Sequence, residues 1–146
     1  MNPQVSKEHY FKKKYDDLNR FISYFYQIDL VRQVLKADIR TAPRYKILEI
    51  GKGNGTVSDY LKKLNYHITT VDIDSELKPD ELADIRKLPF KANAFDLVTA
   101  YEVLEHLPFE DIPQALAELK RVTGKYVIIS LPYRSSGIEL LLRFPG

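Results

Sequence analysis

The 146-residue chain has no cysteine. A disulfide framework and a thiolate metal site are both excluded, which suits a reducing, cytoplasmic compartment. No apolar run approaches the ~20 residues that cross a bilayer, so no membrane partner is expected. The N-terminus lacks the charged-then-apolar pattern of a signal peptide. Repeats and low-complexity linkers are also missing. Glycine is scarce, with six in the whole chain, yet three of them occupy alternate positions in the segment ILEIGKGNG, residues 47–55. Two explanations fit that cluster: a tight loop, or a backbone surface that a ligand approaches closely.

What is present describes an ordinary globular domain, 45% hydrophobic and 29% charged. Its length suits one domain with a real core. The charge is uneven. Residues 1–46 hold ten Lys/Arg against five Asp/Glu, and the remainder hold twelve against fifteen, so +5 and −3 combine to the net +2. The basic arm, with lysines at 12–14, carries no accompanying nucleic-acid motif, so a solvated helix face is the simpler reading.

Apolar residues at 21, 24, 25, 28, 31 and 35 have helical spacing and predict a helix over about 17–38. Tyr24 and Phe25 are expected to face the core. YKILEI then reads as a buried strand, followed by a helix carrying Val57, Tyr60, Leu61 and Leu64 on one face. HITTVDI is a second strand that His67 begins, and a very short strand is expected near Leu82–Asp84. FDLVTAYEV is the next strand. Asp111 is expected to cap a helix burying Ile112, Ala115, Leu116, Leu119 and Val122. KYVIISLPY closes the series, and RSSGIELLLRFPG is assigned no strand. The alternation predicts an α/β fold: a doubly wound, mostly parallel, Rossmann-like sheet of about five strands in the order 3-2-1-4-5. Residues 1–44 form a helical arm or lid on a core of residues 45–146.

In such sheets ligands bind beyond the carboxyl ends of the strands. Gly51, Gly53 and Gly55 lie at one such end, where a following helix offers free N–H donors. Asp72 ends the second strand, 21 residues after Gly51, and can accept hydrogen bonds from ribose hydroxyls, with Asp74 as its rival two residues on. Asp84 stands where an adenine edge can be read. Glu49 lies inside a buried strand, where an acid needs a loop or a cation to hold. A dinucleotide loop would place its third glycine at relative position six; here it comes at five. A phosphate loop needs Gly-Lys-Ser/Thr, which KGNGT lacks.

EIGKGNG, followed in order by VDID, ADIRKLPF and AFDLVTAYEVLEHL, resembles the signature of class I S-adenosylmethionine-dependent methyltransferases of the "type 11" group. The resemblance covers about residues 45–133. It implies S-adenosyl-L-methionine as cofactor, with the glycine loop under the methionine portion and Glu49 near its amino group. Asp72, together with Ile73, is assigned to the ribose, Asp84 and Ile85 to the adenine, and Tyr101 to the same site. Glu102, Glu105 and His106 are assigned to the edge of the substrate pocket, with no catalytic residue and no metal ligand identified. Among Tyr10, Tyr15, Tyr24 and Tyr26 a cofactor lid is expected. TAYEV replaces the Asn/Asp-Pro-Pro-Tyr of many nitrogen methyltransferases, which points to a small-molecule acceptor rather than nucleic acid. The family continues past its fifth strand with two more, which the remaining residues do not supply. The chain is therefore expected to be a domain truncated at its C-terminus, a natural short form, or one that completes itself with a partner, the apolar 138–144 segment favouring a homo-oligomer. The alternative is a non-catalytic cofactor-binding or scaffold module, and an NAD-dependent oxidoreductase ranks third.

Overall fold

A computed structural model describes residues 7–11, 17–36, 40–132 and 138–143. The chain runs α1 (Lys7–Tyr10), α2 (Leu18–Leu35), β1 (Lys46–Ile50), α3 (Thr56–Lys63), β2 (His67–Asp72), β3 (Glu81–Leu82), β4 (Phe95–Tyr101), α4 (Ile112–Val122), β5 (Thr123–Leu131) and β6 (Ile138–Arg143). The sheet order is β3-β2-β1-β4-β5-β6. The first five strands pair in parallel, in the order read from the sequence. β6 runs antiparallel to β5, with Ile128 opposite Leu141. The sequence reading left this segment without a strand. Its three consecutive leucines, Leu140 to Leu142, carry no alternation to mark it as one, and pairing with the edge of β5 satisfies its backbone.

Successive strand residues point to opposite faces, and both faces are covered. On one side Leu48, Ile50, Val98 and Val127 pack with Ala115, Leu119 and Val122 of α4. On the other side Ile47, Leu97 and Ile128 pack with Val57 and Leu61 of α3 and with Tyr24, Val31 and Leu35 of α2. Glu49 shares a strand face with Ile47, so it projects toward α2 and α3.

Several local expectations are corrected. The α2 helix is shorter than expected. It starts where the Asp17 carboxylate accepts from the Arg20 backbone N–H, and it ends at Lys36, whose φ of 50° is left-handed. Tyr24 is buried as expected, but Phe25 is 64% exposed and Phe21 56%. The buried stripe is Tyr24, Gln27, Val31 and Leu35. Tyr60 and Leu116 lie at the edges of their helices' apolar faces and are exposed. Asp111 precedes α4 without a capping hydrogen bond. Its carboxylate instead accepts from Arg86 Nη1 at 2.6 Å, since a guanidinium competes well with a backbone donor.

Candidate cofactor and acceptor site

The carboxyl ends of β1, β2 and β4 open into a cavity of about 460 Å³, within the size range of small-molecule sites. The loop from Gly51 to Asn54 forms its floor. Gly51 has φ +78° and donates its backbone N–H to the Val71 carbonyl at 2.8 Å. A Cβ there would stand 2.5 Å from Val103 Cγ2, so only glycine fits without displacing a stiff β-branched neighbour. Gly53, at φ +53°, has its Cβ direction facing the Tyr10 ring at 3.4 Å. Lys52 donates to the Leu77 and Lys78 carbonyls at 2.9 and 2.7 Å, tying the loop to the turn after β2.

Glu49 lines this cavity and is 5% exposed. Its Oε2 has no hydrogen-bond partner among the described residues. Burial pushes its carboxyl from the ordinary 4.5 up to about 7, against a smaller opposing effect from the Ser58 hydroxyl. A buried acid with one unpaired oxygen facing a cavity is suited to receive a cationic donor.

Asp72 and Asp74, both buried, line the same cavity. The Asp72 carboxylate accepts from the backbone N–H of Asp74 at 3.0 Å and, at 3.4 Å, from that of Gly53. Asp74 accepts from the Glu76 N–H at 2.9 Å, an N-cap for the Ser75–Leu77 turn. Of the two rivals, Asp72 therefore touches the glycine loop and Asp74 caps a turn. Ile73, Asp84 and Ile85 also line the cavity. Asp84 lies two residues beyond β3, and its carboxylate grips Arg86 by a forked pair that includes Nε–Oδ1 at 2.9 Å. Those hydrogen bonds hold the Asp84 carboxyl below the usual carboxylate range.

The opposite wall comes from α2 and the end of β4. The Tyr101 hydroxyl donates to the Gln27 carbonyl at 3.3 Å, and Asn54 Nδ2 donates to the Tyr24 hydroxyl at 3.0 Å. Arg20 Nη1 meets Glu102 Oε2 at 2.8 Å. Glu102 has a left-handed φ of 53°, uncommon for a non-glycine residue. His106 lies at the same rim. Of the tyrosines expected to include a lid, Tyr10 and Tyr24 line the cavity, Tyr26 is exposed, and Tyr15 lies outside the described residues. Every predicted site residue except Gly55 lines one cavity; Gly55 supplies the N-cap position of α3. Sequence reasoning missed Arg20, whose partner is 82 residues away. No His/Asp/Glu group among the described residues could hold a metal ion. No described helix is long and apolar enough to cross a membrane.

The chain is similar to the demethylmenaquinone methyltransferase of Thermotoga maritima, 29% identical over 134 residues that cover 82% of this chain and 57% of that protein. It thus spans little more than half of that relative's length. Two solved structures share the fold: the PH0226 protein of Pyrococcus horikoshii and a SAM-dependent methyltransferase of Aquifex aeolicus. The first has a TM-score of 0.69 at 20% identity and covers 87% of this chain and 66% of that one. The second has 0.63 at 18%, covering 92% and 79%. The family model for a methyltransferase domain matches residues 48–129, more than half of the chain. The chain belongs to the methyltransferase domain family.

Proposed function

We propose that this chain binds S-adenosyl-L-methionine and transfers its methyl group to a small-molecule acceptor. The observation that carries the reading is Glu49, a buried acid with an unpaired oxygen beside a glycine floor that admits no Cβ at Gly51. That pairing fits a ligand with an ammonium group lying flat on the loop. When bound, the cofactor supplies an electrophilic methyl group on a sulfonium centre. Glu49 receives its amino group, Asp72 with Ile73 holds the ribose, and Ile85 with Asp84 flanks the adenine. Because Asp84 is already committed to Arg86, it aligns that wall of the site and leaves the Ile85 backbone to read the base. Tyr101 orders the cavity's back wall by bonding α2.

Holding acceptor and methyl in line is the protein's main contribution, and orientation can supply ~7–11 kcal/mol. Glu102 and His106 line the cavity, which supports a role for them beside the acceptor. The relative named as a demethylmenaquinone methyltransferase favours a small organic acceptor over nucleic acid. The described parts of the N-terminal arm, residues 7–11 and 17–36, serve as a lid that brings Tyr10 and Tyr24 to the cavity. A cytoplasmic location belongs to the same proposal, as does self-association through the 138–144 segment, of which Phe144 lies outside the described residues. The test is incubation with methyl-labelled cofactor and a panel of quinols, phenols and amines. Label in an extractable product supports transfer. Tight cofactor binding with no labelled product from any acceptor would favour the non-catalytic module.

A further inference from the structure

The α2 helix is apolar on two sides. Its inner side buries Tyr24, Val31 and Leu35 against the sheet. On the opposite side Leu18, Phe21, Ile22, Phe25 and Tyr26 recur at helical spacing and are between 44% and 76% exposed. A helix that is apolar all round is normally buried all round, so this second stripe calls for a cover. Its rings contact only their own helix among the ring pairs of the described residues. Phe21 meets Tyr24 edge-on at 5.9 Å and Phe25 meets Tyr26 at 5.6 Å, and the outer surfaces stay open.

Symmetry and area both point to a second copy of this chain. Positions 18, 21, 22 and 25 read the same in either direction about the point midway between 21 and 22. Two antiparallel α2 helices with a two-fold axis there set Leu18 level with Phe25 of the partner subunit, and Phe21 level with the partner's Ile22. That is the self-complementarity an isologous interface requires. At these exposures five side chains of this size leave on the order of 500–600 Å² open per chain, as much as the largest apolar patch of a typical monomer. Pairing two copies buries roughly 1,000 Å² or more, enough for a specific interface. A lipid surface fits less well. Asp29 continues the stripe by one turn, its carboxylate accepting from Gln33 Nε2 at 2.6 Å, and insertion would bury that charge. In the antiparallel pair Asp29 lies beyond the end of the partner's helix and stays in water.

We propose that Leu18, Phe21, Ile22 and Phe25 form the centre of an antiparallel, two-fold interface between copies of this chain. The surface is separate from the 138–144 segment, and the inference does not depend on the cofactor reading. The inner side of the same helix supplies Tyr24 and Gln27 to the cavity, so pairing braces that wall in both subunits. Sedimentation velocity of the 146-residue chain over a concentration series is the first test. Wild type should show a monomer–dimer equilibrium. Joint substitution of Leu18→Glu and Phe25→Glu should raise the dissociation constant at least about a hundredfold, because a two-fold interface loses each contact twice. Both positions are exposed, so circular dichroism should show the variant still folded. Cross-linking gives an independent reading, since the chain has no cysteine of its own. Under copper–phenanthroline oxidation Ile22→Cys should form a disulfide-linked dimer across the axis. Gln33→Cys should not, because antiparallel pairing at 1.5 Å per residue holds its two copies ~35 Å apart.

A wild-type chain that stays monomeric at high micromolar concentration overturns the proposal, and flotation of that monomer with anionic vesicles would give the stripe to a lipid surface instead. A dimer that persists in the double variant overturns it as well and moves association to another surface, the 138–144 segment included. Cross-linking through Gln33→Cys but not through Ile22→Cys would contradict the antiparallel register.

Discussion

Glu49→Gln probes the most unusual group in the molecule. The carboxyl is buried, and burial moves it from 4.5 to about 7. At about 1.36 kcal/mol per tenfold in proton affinity, that displacement is worth about 3 kcal/mol. The sign follows from linkage. The folded state holds the proton more tightly than the unfolded state does, so the favourable contribution is full below pH 4.5 and is lost as pH rises through about 7. Glutamine cannot titrate. Its amide adds a cost of its own, but one that does not change with pH. The stability difference, Glu49→Gln minus wild type, should therefore grow in the variant's favour by about 3 kcal/mol between pH 4 and pH 8. Denaturant unfolding of both proteins across that range reads it directly. A difference that stays flat with pH would refute the buried-acid argument. The same displacement predicts that, near pH 6, uptake of an ammonium-bearing ligand ionises Glu49 and releases up to about one proton. Titration in two buffers of different ionisation enthalpy would detect that proton.

Three further outcomes are expected. Gly51→Ala should lose most S-adenosylhomocysteine affinity, because the new methyl meets Val103 Cγ2 at 2.5 Å, and Val103→Ala should restore part of it; full affinity in the single variant, read by calorimetry, would remove the loop from the site. Asp72→Ala should weaken the same ligand by about 1.5–3 kcal/mol, whereas Asp74→Ala should mainly loosen the Ser75–Leu77 turn it caps. Calorimetry of both variants decides the register, and the reverse order would place the ribose acid two residues later. Arg121→Ala should lower thermal stability without changing ligand affinity, since its guanidinium ties the Leu88 and Phe90 carbonyls to α4 and does not line the cavity.

The parallel sheet was legible because each of its longer strands is an apolar, β-branched run bounded by turn residues. The glycine spacing then marked the strand ends that open into the cavity. The face of α2 was less legible. Stripes through 21, 25 and 28 or through 24, 27 and 31 differ by only one step of the helix. The buried stripe contains a polar residue, Gln27, whose backbone carbonyl receives Tyr101, while the aromatic Phe21 and Phe25 point outward. Counting apolar residues finds Tyr24, Val31 and Leu35 but adds Phe21 and Phe25 and passes over Gln27. β6 was missed because three consecutive leucines suit a strand and a helix equally. The assignment of Asp84 anticipated its place in the cavity but not its ion pair. A carboxylate beside an arginine two positions on can pair locally or point away, and only the fold decides. Arg20 was invisible for a different reason, since nothing in a helix of mixed polarity marks a side chain that reaches Glu102, just after β4.

The central claim is that the glycine floor and Glu49 form a site for S-adenosyl-L-methionine. Calorimetric titration of the 146-residue chain with S-adenosylhomocysteine, with NAD as control, tests it most directly. Saturable one-to-one binding of S-adenosylhomocysteine with no heat from NAD is the predicted result. Binding of NAD in preference, or of neither ligand, would contradict it.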